Sequence, residues 1–241
     1  MENNFAVDVK NLTKKFGKFL AVDNIELKIK KGEIYGFLGP NGAGKTTIIR
    51  MLCGILLPTN GEGKVIGFDI MKEPEEIKKS IGYVSQKFSL YDDLTVEENL
   101  KFYSKIYGVN SRERIEKILE DLDLKDKKNF PTKNLPAGFK QRLSLACAIT
   151  IKPSILFLDE PTSSTDPVFR RNFWEIIYKI AKEKTTILLT THYLDEAEFC
   201  ERVCMIYKGE KIAEGKPTEL KEKYKKNSLE EIFIYLVEKN L

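Results

Sequence analysis

Eight consecutive residues limit what this chain can fold into more than any others. Gly39-Pro40-Asn41-Gly42-Ala43-Gly44-Lys45-Thr46 fits the pattern G-x-x-x-x-G-K-[ST] in full, directly after the apolar run Ile34-Tyr35-Gly36-Phe37-Leu38. Residues 46–52 suit a helix, so the segment reads as strand, glycine-rich turn, helix. Glycines at such a turn let backbone N–H groups converge on an anion with no side chain in the way. The following helix directs its positive end at the same point. Lys45 supplies a point charge for β- and γ-phosphates, and Thr46 a hydroxyl for Mg²⁺.

A second run, Ile155-Leu156-Phe157-Leu158-Asp159-Glu160, delivers two carboxylates at the exit of an apolar strand. Two acids after a strand are often only a solvated turn. Beside a phosphate-binding loop in a parallel sheet they acquire work: Asp159 suits holding Mg²⁺ through water, and Glu160 suits orienting or deprotonating an attacking water. His192 is the single histidine of the chain and follows a strand read at 185–190. A lone histidine is commonly incidental, but at that strand end it can reach a γ-phosphate as a donor.

The rest of the chain reads as two strand-rich regions separated by a helical block. Residues 5–35 read as strands, with Ile25, Leu27 and Ile29 alternating with polar neighbours as in a sheet with one wet face. Thr95 and Glu98 form a capping box ahead of Val96, Leu100, Tyr103 and Tyr107 at helical spacing, ending at Gly108. Ile115, Ile118, Leu119 and Leu122 follow Ser111 as a second stripe, and a third helix is expected over 140–149. The boundaries that follow are a core over 1–89 and 152–227, an inserted helical subdomain over 90–151, and a last helix over 228–241. Within the returning core, Asp166 is read as the cap of a helix with Pro167 at its first position and Phe169, Phe173, Ile176, Ile177 and Ile180 on its buried side. A further helix is expected over 194–201, a strand over 203–207, and a capping box at Ser228 with Glu231.

Composition excludes some classes. The 241 residues, 42% hydrophobic and 32% charged, describe an ordinary globular chain that fits one large domain. A net charge of +4 from 40 basic and 36 acidic residues calls for no polyanionic partner, and the lysine clusters at 28–31 and 221–226 read as solvated faces. No apolar stretch approaches the roughly 20 residues of a membrane helix. Met1-Glu2-Asn3-Asn4 lacks the regions of a signal peptide. Cys53, Cys147, Cys200 and Cys204 read as buried, reduced thiols of a cytosolic protein.

Taken in order, Gly39–Thr46, Gln86, Leu135-Pro136-Ala137-Gly138-Phe139 with Lys140-Gln141-Arg142, Leu158-Asp159-Glu160-Pro161, Asp166 and His192 resemble the ABC transporter ATPase family across nearly the whole chain. Ser89–Leu100, Thr191–Glu198 and Ser228–Phe233 resemble most closely the ATP-binding subunits of ABC-2 type exporters, drug-efflux systems among them. The resemblance implies an α/β fold, a P-loop NTPase of ABC type. Its parallel-sheet catalytic core would carry an N-terminal antiparallel β subdomain and an inserted helical subdomain. It implies ATP and Mg²⁺ as ligands, with Thr47 joining the Gly39–Thr46 loop and Phe16 stacking on adenine. Gln86 would join Thr46 and Asp159 at the Mg²⁺ and sense the attacking water, serving catalysis with Glu160 and His192, and Leu135–Phe139 would cap the nucleotide of a second copy, with Asp166 in the adjoining loop. The implied partners are a transmembrane permease of ABC-2 type and a second ATPase subunit in a head-to-tail dimer, at the cytoplasmic face of the membrane, with no nucleic acid.

Two departures stand out. The family commonly has Leu-Ser-Gly-Gly-Gln where this chain has Leu135-Pro136-Ala137-Gly138-Phe139, so a hydroxyl donor is missing. Ser163-Ser164-Thr165-Asp166 stands where Ser-Gly/Ala-Leu-Asp is common. Two other readings stay open. One is a soluble ABC ATPase acting on ribosomes or DNA, against which speak the single cassette and the lack of a long coiled coil between Lys45 and Leu135. The other is an ATP-gated interaction module with little turnover, which draws on Pro136 alone.

Overall fold

The computed structural model describes residues 4–86, 89–109, 111–163 and 165–239. Asn110, Ser164, the extreme termini and the two residues after Gln86 lie outside the described residues, and with them the departure noted at Ser164 and the end of the helix expected over 228–241. Two sheets organise the chain. The first has the order β2-β1-β4-β5 and is antiparallel, from β1 (Phe5–Phe16), β2 (Phe19–Lys30), β4 (Asn60–Val65) and β5 (Phe68–Asp69). The inward residues Val22, Ile25, Leu27 and Ile29 of β2 are buried while Asn24, Glu26 and Lys28 are exposed, the alternation of a sheet with one wet face.

The second sheet has the order β10-β9-β3-β8-β7-β6. Its strands β3 (Ile34–Leu38), β6 (Ile81–Val84), β7 (Ile155–Asp159), β8 (Thr186–Thr191) and β9 (Arg202–Tyr207) run parallel, and β10 (Glu210–Gly215) closes one edge antiparallel. Every residue of β3, β7 and β8 is buried, as expected for strands covered on both faces. One face packs with the antiparallel sheet, α1 (Lys45–Leu52) and α2 (Pro74–Ser80) around Val9, Leu27, Phe37, Ile48 and Phe157. The other face packs on α3 (Val96–Ile106), α4 (Arg112–Asp121), α5 (Ala137–Ile149), α6 (Pro167–Lys182) and the terminal α8 (Leu229–Lys239), which α7 (Pro217–Tyr224) precedes. The strand order sets the site: the carboxyl ends of β3, β8, β7 and β6 fall side by side on one edge, where open α/β sheets bind ligands.

Several local expectations hold. Thr95 and Glu98 exchange both bonds of the capping box at α3, and Asp166 Oδ1 accepts the Phe169 N–H at 2.9 Å at the head of α6. Three do not. The helix expected from Lys140 starts three residues earlier, with Pro136 as its N-cap, because proline's fixed φ suits a helix entrance and Gly138 has no Cβ to keep the first turn off Phe169. The helix expected over 194–201 is only a 3-10 turn, Glu196–Phe199: the Glu196 carboxylate is drawn inward by two threonines and Cys200 leaves in extended conformation. At the last helix, Ser228 accepts from Glu231 N, but the Glu231 carboxylate takes the Asn227 N–H, so the box is shifted by one residue.

Candidate nucleotide site

The glycine loop between β3 and α1 is held by contacts that leave no room for side chains. A Cβ on Gly39 would lie 2.2 Å from the Ile206 carbonyl oxygen, and one on Gly44 would lie 2.7 Å from that of Ala21. Gly44 also sits at φ 106°, in the region that favours glycine. The Ala43 carbonyl accepts from Gly209 N, whose own carbonyl accepts from Asp23 N, so β2 and the β9–β10 turn buttress the loop. Pro40, Asn41 and Gly42 are exposed at its crest, Ala43 is buried, and Thr46 and Thr47 are half-buried on the first turn of α1.

Lys45 is buried, and its ammonium donates to the carbonyls of Gly39 and Pro40 at 2.8 and 3.1 Å. Burial pulls its pKa down, while the carboxylates of Glu160 and Asp159 push it back up. Thr46 Oγ1 donates to Asp159 Oδ1 at 2.9 Å, bringing a hydroxyl from the head of α1 to a carboxylate at the tip of β7. These are hard oxygen donors of the kind that magnesium takes, so the pair fits that ion.

Glu160 is the meeting point. Its Oε1 lies 3.4 Å from Lys45 Nζ, and its Oε2 accepts from Gln86 Nε2 at 3.1 Å and lies 3.3 Å from His192 Nδ1. Three segments, after β3, β6 and β8, thus bring one group each to the single carboxylate that follows β7. Its backbone φ is +49°, uncommon for a residue with a long side chain. Gln86 Nε2 bonds to Glu160, the residue next to Asp159, whose own Oδ1 accepts from Thr46.

One residue of this arrangement escaped the sequence reading. Thr190, at the end of β8, donates to Asp159 Oδ1 at 2.8 Å and accepts from Glu160 N at 2.9 Å, fixing both acids through one hydroxyl. Its only signal in the sequence was a threonine at the end of a strand, beside the equally polar Thr191.

The remaining candidates are dispersed. Phe16 closes β1, half-exposed, with the Lys14 ammonium 5.3 Å from its ring centroid. Leu135 is buried, Pro136 and Ala137 are exposed, and Gly138 lies on Phe169 of α6. The Phe139 ring has the Lys127 ammonium at 4.8 Å and the Arg142 guanidinium at 5.6 Å from its centroid.

A glycine loop at a central strand, a lysine inside it and paired acids on a neighbouring strand define a nucleotide-binding protein of the phosphate-loop class. Residues 22–163 match the model of the ABC transporter family. The chain belongs to that family. It is 46% identical over 239 residues to the probable multidrug ABC transporter ATP-binding protein YbhF of Escherichia coli, covering 96% of this chain and 41% of that protein, and so spans less than half of that relative's length. It is 38% identical to the Nod factor export ATP-binding protein I of Cupriavidus metallidurans, over 89% of this chain and 72% of that one. It is also 38% identical to the daunorubicin/doxorubicin resistance ATP-binding protein DrrA of Streptomyces peucetius, over 93% and 69%. Among solved structures, an ATP-binding subunit of an ABC transporter superposes with a TM-score of 0.86 at 25% identity, over 96% of this chain and 99% of that one. An ATP-binding cassette in a dimeric post-hydrolysis state with ADP and Pi superposes with a TM-score of 0.79 at 29% identity, over 87% and 98%.

Proposed function

We propose that this chain is the ATP-hydrolysing subunit of an ABC-2 type exporter, acting as a head-to-tail dimer on the cytoplasmic side of a separate transmembrane permease. The observation that carries the reading is the convergence of Lys45, Gln86 and His192 on Glu160, beside the Thr46–Asp159 pair. Gly39, Pro40, Asn41, Gly42, Ala43 and Gly44 offer the backbone that wraps the phosphates, with Lys45 and Thr47 at their edge, and Phe16 offers a ring for adenine. Thr46 and Asp159 would hold Mg²⁺, which when bound neutralises charge on the β- and γ-phosphates.

Glu160 orients and deprotonates water, a contribution of about 10²–10⁴-fold for a placed general base. His192 donates to the γ-phosphate, and Gln86 links the Glu160 carboxylate to the segment that leaves β6. Leu135, Pro136, Ala137, Gly138 and Phe139 cap the nucleotide of the second copy, with Asp166 nearby at the head of α6. Export is supported by the names of the relatives, which concern multidrug, Nod factor and daunorubicin/doxorubicin systems. No helix among the described residues is long and apolar enough to cross a membrane.

The test is Mg²⁺-dependent ATP hydrolysis by the purified chain with the membrane protein that co-purifies with it. Turnover that disappears in Glu160→Gln while nucleotide binding persists supports the reading. Equal, negligible rates in both would leave a nucleotide-gated module, and RNA-stimulated turnover with no membrane partner would leave the ribosomal alternative.

A further inference from the structure

A second polar cluster joins the two strand exits that carry Glu160 and His192. Its centre is Glu196, 1% exposed in the 3-10 turn after β8. One carboxylate oxygen, Oε2, accepts from Thr162 Oγ1 at 2.8 Å and from Thr191 Oγ1 at 3.0 Å. Thr162 lies two residues past Glu160, and Thr191 immediately precedes His192.

The other oxygen, Oε1, faces Arg170 Nε at 3.4 Å. Arg170, on the first turn of α6 beyond Asp166, also lays its guanidinium 4.3 Å from the centroid of the Tyr193 ring, which is itself 4.2 Å from the His192 ring. Thr191 Oγ1 further accepts from Tyr193 N at 2.9 Å, which fixes the turn around His192.

The backbone ladder between β7 and β8 has its last register pair at Asp159 and Thr190. Beyond that pair, the described strand-pairing bonds no longer set the separation of the two chains, yet Glu160 and His192 both stand past it and must meet within 3.3 Å. A buried glutamate between two threonines is, most simply, a device that satisfies hydroxyls in the interior. Here each arm ends on a residue flanking the reacting groups, on both exits and on α6. An error of about 1 Å in the placement of such groups costs roughly a hundredfold in rate.

We propose that Glu196, held by Thr162, Thr191 and Arg170, is a positioning residue for hydrolysis that sets the distance between Glu160 and His192 without contributing to nucleotide affinity. The proposal rests on the ATPase reading above. It requires an oxygen acceptor at this place, not a charge, so glutamine should serve and alanine should not.

The experiment compares the full chain with Glu196→Ala, Glu196→Gln and the pair Thr162→Val with Thr191→Val, in whichever assembly hydrolyses ATP. Thermal melts and affinity for a fluorescent ATP analogue are measured on each. Glu196→Ala is expected to lower kcat between about tenfold and a hundredfold with KM and analogue affinity within about twofold. Glu196→Gln should keep kcat within about threefold of wild type, and the double valine variant should reproduce the alanine result. Should Glu196→Ala not fold, the valine pair carries the same expectation. A folded alanine or valine variant with wild-type kcat overturns the proposal, as does a parallel loss of kcat and affinity that glutamine fails to restore. A wild-type protein with no hydrolysis overturns the ATPase reading as well, which separates the two failures.

Discussion

Lys45 Nζ and Glu160 Oε1 stand 3.4 Å apart, both side chains almost wholly buried. On the proposed reading, the cation offered to phosphate is here paired with the acid offered to water. An incoming triphosphate has to draw the ammonium away from Glu160 and from the carbonyls of Gly39 and Pro40.

This rivalry gives Glu160→Gln two opposite effects. Turnover should fall about a hundredfold or more, since the general base is gone. ATP affinity should rise about tenfold, or ~1.4 kcal/mol, because the ammonium no longer has a competing carboxylate. Titration with a fluorescent nucleotide beside a phosphate-release assay checks both, and unchanged or weaker binding would refute the rivalry.

Pro136 caps α5 without a side-chain bond. In Pro136→Ser the new hydroxyl gains a helix-capping role worth about 1 kcal/mol, visible in the unfolding of the isolated chain without nucleotide. If the hydroxyl also reaches the nucleotide of a second copy, ATP-dependent dimer formation in a Glu160→Gln background should strengthen about tenfold, as suits one charge-assisted hydrogen bond. Greater stability with no change in dimerisation would reduce the missing serine to an ordinary cap.

Gly138 lies under the ring of Phe169, where an added Cβ would stand 2.6 Å from Cδ2. Alanine favours a helix over glycine by about 1 kcal/mol, whereas overpacking costs about 1–3 kcal/mol, so Gly138→Ala should be a net loss. Adding Phe169→Leu should recover part of it. Urea unfolding of the single and double variants measures the coupling, and simple additivity would show that the ring is not the obstacle.

The motifs legible in the sequence were those whose residue types are set by chemistry at short range. The glycine loop announced β3 and α1, and the apolar run 155–158 announced β7 with its two acids. Alternation announced the wet face of β2. What stayed hidden depended on contacts far apart in the chain. Thr190 looked like any polar residue at a strand end, and its bonds to Asp159 and Glu160 span 31 and 30 residues. Glu196 looked like one acid in a charged helical stretch, because nothing local shows that Thr162, 34 residues earlier, folds over it. The start of α5 lies three residues before Lys140, hidden because a proline and a glycine together look like a break in sequence. The observed α5 uses the first as its cap and the second for clearance from Phe169.

Glu196 also makes stability depend on pH in a defined direction. Burial raises its pKa above the ordinary 4.5, opposed by the two threonine hydroxyls and Arg170, with Asp195 adding to the rise. The folded chain therefore favours the protonated acid more than the unfolded chain does. The resulting stabilisation, relative to Glu196→Gln, is fully present below the unfolded value and is lost as pH rises through the folded one. Unfolding free energies of the two chains, compared from about pH 4 to 8, should show the wild-type advantage shrinking with rising pH. A constant or growing advantage contradicts the assignment.

Glu160 occupies left-handed backbone space at φ +49°, a conformation that asparagine or glycine adopts more readily. Thermal endurance and chemical work therefore pull this single position in opposite directions. A selection for heat resistance alone, blind to phosphate release, would be drawn toward replacing the acid, and its winners would be more durable chains that bind their fuel and never burn it.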